Sequence, residues 1–198
     1  MSGQYFDNNP SLRHDIHAYQ YQFNGKNYRF LTDSGVFSRQ YLDFGSENLI
    51  QSFVLKQGAS KVLDLGCGYG PIGILLKGTY PQLDLTLVDV NERAVELAKE
   101  NATSNQLLVN ATISDGYQNI QDTFDVVLLN PPIRAGKETI YRLYDETYDH
   151  LNQGGEFWLV IQKKQGAEST IKKLVSLFGN CEVITKNKGY FILKSKKN

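Results

Sequence analysis

Two short loops hold the residue types that could carry chemistry in this chain. The first contains three alternating glycines, Gly66, Gly68 and Gly70, and the second is Asn130-Pro131 followed by another proline. Each loop comes directly after a run of β-forming apolar residues, which predicts that each follows a buried parallel strand. Open α/β sheets bind ligands at the carboxyl ends of such strands. The two loops are therefore predicted to face one ligand site.

The glycine loop is compatible with more than one cofactor. The spacing of Gly68, Gly70 and Gly73, with Asp89 about 20 residues downstream, fits the dinucleotide fingerprint of dehydrogenases. Asp64 argues against that reading, because a carboxylate at the end of the preceding strand repels a diphosphate but suits a ligand carrying an ammonium group. No Gly-Lys-Ser/Thr sequence ends the loop, which excludes a P-loop. An NAD-dependent oxidoreductase remains an alternative.

S-adenosylmethionine meets these constraints, because it has no phosphate and carries a sulfonium, an ammonium group, a ribose diol and an adenine. The glycines allow close backbone approach, and Asp64 is expected near the ammonium end. Asp89 can accept both ribose hydroxyls, and Asp115 can accept from the adenine amino group. A lone aspartate at a strand end is more often a cap or turn residue, but three on consecutive strands favour binding. The residues predicted to bind this cofactor are Asp64, Gly66, Cys67, Gly68, Gly70, Asp89, Val90, Asp115, Gly116 and Asn130.

With these motifs the chain resembles class I S-adenosylmethionine-dependent methyltransferases over nearly all of residues 60–195. Within that class it resembles the small-domain relatives of bacterial 16S ribosomal RNA guanine-N2 methyltransferases. The segments that carry the narrower resemblance are Asn130-Pro131-Pro132, Gly136-Lys137, Thr32-Asp33-Ser34-Gly35-Val36-Phe37-Ser38 and Asp43-Phe44-Gly45-Ser46. The resemblance implies a Rossmann-like three-layer α/β sandwich, with a mostly parallel seven-stranded sheet whose last strand is antiparallel.

The second loop suits methylation of a planar amine. The exocyclic nitrogen of guanine or adenine shares its lone pair with the ring, so it is a poor nucleophile until it is pyramidalised, and two hydrogen-bond acceptors can do this. Asn130 can supply a side-chain oxygen and Pro131 a backbone carbonyl, while both prolines fix φ and offer no competing N–H. Asn130, Pro131 and Pro132 are predicted to be catalytic, with guanine N2 of ribosomal RNA as the expected acceptor. Adenine-N6 methylation of RNA or DNA, protein glutamine N-methylation and a merely structural Pro-stiffened loop remain alternatives.

At one position, the residue expected to contact the substrate base differs in type from that of amino-methylating families. The residue after the second proline is often aromatic in amino-methylating families, where its ring stacks on the flipped base, but here it is Ile133. Phe37 is expected to supply the missing ring, with Tyr69 and Tyr41 as further candidates, although Phe37 could equally pack in the core. The residues predicted to bind substrate are Phe37, Ile133, Arg134 and Lys137, of which the two cations could also be solvated surface charges.

The elements that must position these loops follow a regular order. Residues 1–58 are predicted to form an extension packed on the main domain, with a hairpin turning at Asn24-Gly25, a lid loop and a helix capped by Ser46. Residues 59–198 are predicted to be the methyltransferase domain, in which strands and helices alternate and an antiparallel hairpin closes the chain. The predicted strands are 61–65, 84–89, 109–114, 124–129 and 156–162, and the predicted helices begin near Pro71, follow the cap Asn91, and span about 137–152 and 166–178.

Composition and charge limit the remaining possibilities. The 198 residues have a mean hydropathy of −0.37, no apolar run long enough for a membrane span and no signal-peptide pattern at the start, so a cytoplasmic enzyme is expected. Cys67 and Cys181 lack partners at metal-ligand spacing, so no metal is expected. Residues 163–198 hold nine lysines and two glutamates, a charge of +7 that leaves −7 for the rest. This end could be an RNA footprint or a solvated surface.

The expected partner is ribosomal RNA or a ribosomal subunit, with no membrane partner. The larger members of the family carry a second, degenerate copy of the domain that helps to recognise substrate. This chain is expected to rely instead on its N-terminal hairpin and lysine-rich end, or on a partner chain, and a homodimer is one such arrangement. A catalytically silent RNA-binding module is the remaining alternative.

Overall fold

The protein is described by a computed structural model that covers residues 13–38 and 40–198. Residues 1–12, which include the start of the predicted extension, and residue 39 lie outside the described residues. The strands are β1 (His17–Phe23), β2 (Lys26–Thr32), β3 (Lys61–Leu65), β4 (Asp84–Asp89), β5 (Asn110–Ile113), β6 (Phe124–Leu129), β7 (Leu151–Gln162), β8 (Glu182–Asn187) and β9 (Tyr190–Lys196). The helices are α1 (Phe44–Ser52), α2 (Pro71–Thr79), α3 (Glu92–Ser104), α4 (Lys137–His150) and α5 (Ala167–Phe178), with 3₁₀ turns at Ile133–Ala135 and Lys163–Gln165.

Seven strands form the main sheet in the order β5-β4-β3-β6-β7-β9-β8. The first five strands in this order are parallel, whereas β9 runs antiparallel to both β7 and β8. Parallel neighbours require crossover connections, and the helices between the strands supply them. The predicted Rossmann-like sheet with a closing antiparallel hairpin is confirmed.

Helices cover both faces of this sheet. On one face α1, α2 and α3 pack over residues such as Val62 and Leu87, and on the other α4 and α5 pack over residues such as Leu63 and Phe157. All four side chains are fully buried, and each contributes roughly 1.5–3 kcal/mol by leaving water. Because the consecutive residues Val62 and Leu63 of β3 enter opposite cores, the strand is covered on both faces.

The strand register brings the two loops together. Leu65, the last residue of β3, is paired with Leu129, the last residue of β6. Gly66 and Asn130 therefore leave adjacent strands at the same level. On the other side Leu65 is paired with Val88, so that Asp89 ends β4 beside the glycine loop.

The N-terminal hairpin packs on the main domain through α3. Its strands pair over their full length around the turn at Asn24-Gly25, whose φ values are 48° and 74°, and the predicted hairpin is confirmed. The buried Asn101 donates to the carbonyl of Leu31 and accepts from its N–H, at 2.9 and 2.7 Å. A helix side chain thus satisfies both backbone groups of one residue in the edge strand β2.

Three details of the sequence-based boundaries are wrong. Ser46 does not cap α1, because Asp43 lies at the N-cap and its carboxylate accepts from the N–H groups of Gly45 and Ser46. The strand predicted to begin at 156 begins at Leu151, and α4 ends at residue 150 rather than 152. Leu151 is extended and pairs with the first residue of β6. The register then shifts, and Gly154, whose φ is 74°, lies in the irregular stretch before regular pairing resumes.

No helix within residues 13–38 and 40–198 is long and apolar enough to cross a membrane. Within the same residues, no group of three or more His, Cys, Asp or Glu side chains could hold a metal ion.

Candidate active site

A cavity of about 750 Å³ opens at the carboxyl ends of the parallel strands, where both loops meet. Such edges are the usual ligand sites of open α/β sheets. The cavity brings together most of the predicted site residues. Its lining includes Val36, Phe37, Ser38, Asp43, Ser46, Gly66, Cys67, Gly68, Tyr69, Asp89, Val90, Asp115, Gly116, Asn130, Pro131, Pro132, Ile133, Arg134, Arg142, Gln162, Gln165 and Tyr190.

The glycine loop forms an open cradle on one side of this cavity. Gly66 and Gly68 have φ values of 67° and 57°, a region that L-residues with side chains rarely adopt. A Cβ atom at Gly68 would meet no protein atom within 4 Å and would stand in the cavity itself. The loop therefore presents bare backbone to a ligand, which suits a small-molecule cofactor.

Asp89 holds the cradle in place. One carboxylate oxygen accepts from the N–H of Gly68 at 2.8 Å, and the other accepts from the N–H of Asn91 at 2.9 Å. Burial raises the pKa of Asp89, and the N–H groups of Asn91, Gly68 and Val90 oppose that rise. Burial also raises the pKa of the neighbouring Cys67 thiol well above its usual value, so this cysteine stays protonated and is not a nucleophile.

Asp64 lies behind the cradle and does not line the cavity. Its side chain is fully buried, and Oδ2 accepts from the N–H of Gly73 at 2.9 Å. Oδ1 is buried and has no hydrogen-bond partner in the described part of the chain. Burial raises the pKa of Asp64 to about 7, the N–H of Gly73 lowers it, and the charge of Asp89 raises it further. Any contact with a cofactor ammonium group must therefore pass through other atoms.

Asp64 should make the stability of the ligand-free protein pH-dependent. The folded pKa of about 7 lies above the unfolded value of 3.8, so the unfolded chain releases this proton first as pH rises. Between these two pKa values stability falls with increasing pH, by as much as roughly 4 kcal/mol for a shift of three units. We expect Asp64→Asn to flatten this part of the pH profile in urea unfolding at pH 5 and 8, whereas Asp84→Asn on the exposed end of β4 should not. Equal pH profiles for wild type and Asp64→Asn would contradict the assignment.

Asp115 and Gly116 form the wall of the cavity beyond β5. Arg142 of α4 donates to Asp115 at 2.5 Å and to Glu146 at 2.8 Å. The hydrogen bond to Asp115 is the main cause of the raised pKa of Arg142. A Cβ at Gly116 would lie 2.3 Å from a Glu146 oxygen, so only glycine fits beside this ion pair. The predicted adenine acceptor is thus held by a cation from α4.

Asn130 has a fixed amide orientation. Its Nδ2 donates to Ser46 Oγ at 3.0 Å and approaches the Asp43 carboxylate oxygens at 3.3 and 3.4 Å. A carboxylate can only accept, so the amino group must be the end that faces Asp43. The Oδ1 of Asn130 remains as an acceptor directed away from this pair. The sequence indicates Asn130 itself but not the two residues that orient it.

The prolines add a second acceptor beside this amide. Within the described residues nothing donates a hydrogen bond to the carbonyl oxygen of Pro131. The carbonyl of Pro132 instead accepts from the N–H of Ala135 at 2.9 Å and starts the 3₁₀ turn that carries Ile133. Asn130 Oδ1 and the Pro131 carbonyl are therefore neighbouring acceptors on one rim of the cavity.

The aromatic side chains near this rim have different roles. Phe37 lines the cavity and is 43% exposed, whereas Tyr41 is 70% exposed and lies outside the lining. The Tyr69 ring is buried and its hydroxyl is 2.7 Å from that of Tyr19, so it belongs to the hairpin contact. Tyr190, at the start of β9, also lines the cavity, although the sequence does not indicate it as a site residue. Phe37 and Tyr190 are the exposed or half-buried rings that reach the site.

Two hydrogen bonds attach the Phe37 loop to the start of α3. Arg93 donates to the carbonyl of Ser34, and the Asn91 side chain donates to the carbonyl of Gly35, both at 2.9 Å. The predicted helix cap Asn91 is confirmed, since its side chain also accepts from the N–H of Arg93. The loop predicted to be a lid is thus tied to the cofactor side of the cavity.

Three predicted site residues lie outside the lining. They are Asp64 and Gly70, which pack behind the glycine cradle, and Lys137, whose Nζ lies 5.0 Å above the Tyr141 ring. Sequence reasoning missed several residues that do line the cavity. These are Asp43, Ser46, Arg142, Gln162, Gln165 and Tyr190. The sequence indicates Asp43 only as part of a motif, and Ser46 only as part of that motif and as a helix cap.

The chain is similar to known proteins in sequence and in fold. The Bacillus subtilis protein YbxB is 44% identical over 200 residues, with full coverage of both chains. Ribosomal RNA small subunit methyltransferase C of Haemophilus influenzae is 40% identical over 130 residues, which are 64% of this chain and 39% of the relative. A solved T. thermophilus 16S rRNA N2 methyltransferase, in complex with AdoMet and guanosine, has a TM-score of 0.84 at 24% identity and is aligned over 96% of this chain and 52% of its own.

The chain thus spans about half or less of the length of these ribosomal RNA methyltransferases. A family model for the methyltransferase small domain matches residues 27–194. The match begins inside the predicted extension, so the boundary near residue 59 stays a prediction. Because the match covers most of the sequence and the fold agrees, the chain belongs to the methyltransferase small domain family, and the predicted methyltransferase class is confirmed.

Proposed function

We propose that this enzyme methylates the exocyclic N2 amine of a guanine in ribosomal RNA. The methyl donor is S-adenosylmethionine, which supplies a methyl group activated by its sulfonium. The glycine cradle fits this cofactor, because a side chain at Gly68 would occupy the space that the ligand needs. Asp89 and Asp115, which line the same cavity, are the acceptors proposed for the ribose hydroxyls and the adenine amino group.

The orientation of Asn130 is the observation that carries this proposal. Its Oδ1 and the Pro131 carbonyl are proposed to accept the two N–H groups of the substrate amine. This contact draws the nitrogen lone pair out of conjugation and aims it at the methyl carbon. When bound, the cofactor would supply the methyl group from its sulfonium, and its sulfur would keep the electron pair of the broken sulfur–carbon bond. The amine held by Asn130 and the Pro131 carbonyl would then lose a proton to water. No strong general base is needed.

The names of two similar proteins are the reason for proposing guanine rather than adenine as the methylated base. The Haemophilus influenzae relative is named a ribosomal RNA small subunit methyltransferase, and the T. thermophilus neighbour is an N2 methyltransferase solved with guanosine. Ile133 and Phe37, which both line the cavity, are proposed to sandwich the flipped base, and Arg134 to lie near its phosphates. Lys137, whose Nζ lies over the Tyr141 ring, is outside the cavity lining and is proposed to contact a phosphate beyond the rim.

The test is methylation of small ribosomal subunits from a strain that lacks this protein. Labelled S-adenosylmethionine is the donor, and the product nucleosides are identified by mass spectrometry. We expect N2-methylguanosine in 16S ribosomal RNA. Labelled N6-methyladenosine, labelled protein with unlabelled RNA, or binding of NAD without S-adenosylmethionine would each replace the proposal by one of its alternatives.

Asp43 offers a test of the amide orientation. Asp43→Asn keeps a cap acceptor for α1 but presents an amino group to Asn130, which favours the flipped amide and turns its amino group toward the substrate. We expect kcat to fall roughly 30-fold with little change in the Kd for S-adenosylmethionine.

Asp43→Ser is the matched control for this variant. Serine also caps helices, but it presents no amide donor, and Ser46 can still accept from Asn130. The loss in kcat should therefore be smaller than for Asp43→Asn. If both variants lose the same activity and the same thermal stability, Asp43 acts only as a helix cap.

A further inference from the structure

A second cavity, of about 870 Å³, lies next to the acceptor side of the active site. One wall is the 3₁₀ turn Lys163–Gln165 with the start of α5, and the other is the turn between β8 and β9. The N–H of Lys163 donates to the carbonyl of Gly189 at 2.8 Å and joins the two walls. We call this cavity the lysine groove, because Lys163, Lys164, Lys172 and Lys188 line it.

The charge in the lysine groove is not neutralised by neighbouring side chains. Lys163, Lys164 and Lys172 are exposed and form no ion pair or side-chain hydrogen bond with any residue that the structure describes. Glu168 is the one acidic residue among the described residues of the lining. Lys188 differs from the other three, because its Nζ lies 4.9 Å from the Phe44 ring.

Other lysines of the same region are already engaged. Lys173 pairs with Asp145 at 2.5 Å, and Lys194 pairs with Glu182 at 2.8 Å. Lys197 donates to three backbone carbonyls near the end of α4. Of the six remaining lysines of residues 163–198, four line the groove, whereas the exposed Lys186 and Lys196 lie outside it.

The start of α5 adds a second feature that favours an anion. Gly166 occupies the N-cap position and provides no side-chain acceptor, so the first N–H groups of this 12-residue helix are uncapped toward the groove. Such groups, together with the positive end of the helix dipole, favour phosphate oxygens. Exposed lysines and uncapped N–H groups thus converge on one cavity.

The lysine groove adjoins the active site. Gln162, the last residue of β7, lines both cavities. Its Oε1 is buried and has no hydrogen-bond partner in residues 13–38 and 40–198. A nucleotide flipped into the acceptor cavity keeps its flanking phosphodiesters at the rim, where the strand must pass over neighbouring protein.

We propose that the lysine groove binds the phosphate backbone of the RNA strand next to the methylated nucleotide. The proposal rests on the RNA-methylating function given above. Lys163, Lys164 and Lys172 neutralise successive phosphates, and the uncapped start of α5 receives one phosphate oxygen. Gln162 marks the point where the strand passes from the groove to the acceptor cavity.

The test compares two triple variants with equal loss of charge. Lys163→Gln, Lys164→Gln and Lys172→Gln remove the groove lysines, whereas Lys61→Gln, Lys99→Gln and Lys196→Gln remove lysines that do not line either cavity. The Kd for a fluorescein-labelled RNA stem-loop is measured by anisotropy over a range of KCl concentrations. For the groove variant we expect the slope of log binding constant against log salt to be shallower by about 2, because three phosphate contacts are lost.

A second readout is the KM for small ribosomal subunits, which should rise while kcat and the Kd for S-adenosylmethionine stay unchanged. Equal salt slopes for the wild type and the groove variant, an equal change in both triple variants, or no binding of the stem-loop by the wild type would each overturn the proposal. Failure of the proposed function gives a different result: the wild type methylates no RNA, yet the lysine-dependent salt slope persists.

Discussion

Replacing Asn130 by alanine is expected to lower kcat by roughly a thousandfold while leaving the Kd for S-adenosylmethionine largely unchanged. The amide oxygen is one of two preorganised acceptors for the substrate amine, and deletion of one such group commonly costs two to three orders of magnitude. Pro131 supplies the other acceptor from its backbone, so a side-chain substitution cannot remove it. Single-turnover transfer and calorimetric titration of the cofactor measure the two quantities separately.

Asn110→Ala is the matched control for this experiment. Asn110 is the exposed first residue of β5. It therefore lies at the amino end of the strand, whereas the active site lies at the carboxyl ends. It should keep wild-type kcat. A normal rate for Asn130→Ala with weakened cofactor binding would mean that Asn130 serves the cofactor and that the amine is oriented by other groups.

Asp89→Ala is expected to weaken binding of S-adenosylmethionine by roughly a hundredfold. The carboxylate holds the N–H groups of Gly68 and Asn91, and the ribose hydroxyls are proposed to donate to the same oxygens. Charge-assisted hydrogen bonds of this kind contribute about 1.5–3 kcal/mol each, so the loss of one or two accounts for the expected change. At saturating cofactor kcat should remain within about tenfold of the wild type, since the amine acceptors are untouched.

Asp84→Ala provides the comparison, because Asp84 is the exposed first residue of the same strand β4. Its cofactor affinity should equal that of the wild type. If Asp89→Ala instead abolished transfer with unchanged affinity, the assignments of Asp89 and Asn130 would have to be exchanged.

The sequence determined that both faces of a parallel sheet are covered, and that ligands bind at the carboxyl ends of its strands. Runs such as 126–129 are apolar on both faces, which restricts them to the centre of a covered parallel sheet. Pro71 at the first position of α2 and the cap Asn91 mark two helix starts by local chemistry alone. Local signals of this kind failed at α1, where Asp43 and Ser46 are both good capping residues and only the backbone conformation distinguishes them.

The sequence by itself also indicated the chemically competent residues Asp89 and Asn130, because each is a special residue type at the end of a buried strand. Tertiary structure alone decided which way they point and what surrounds them. The contact of Asn130 with Asp43 joins residues 87 positions apart, and the groove beside Gln162 forms only when the β8–β9 turn packs against the start of α5. Periodicity and capping act within a few residues, whereas the orientation of an amide or the shape of a groove depends on contacts between distant segments that no local pattern encodes.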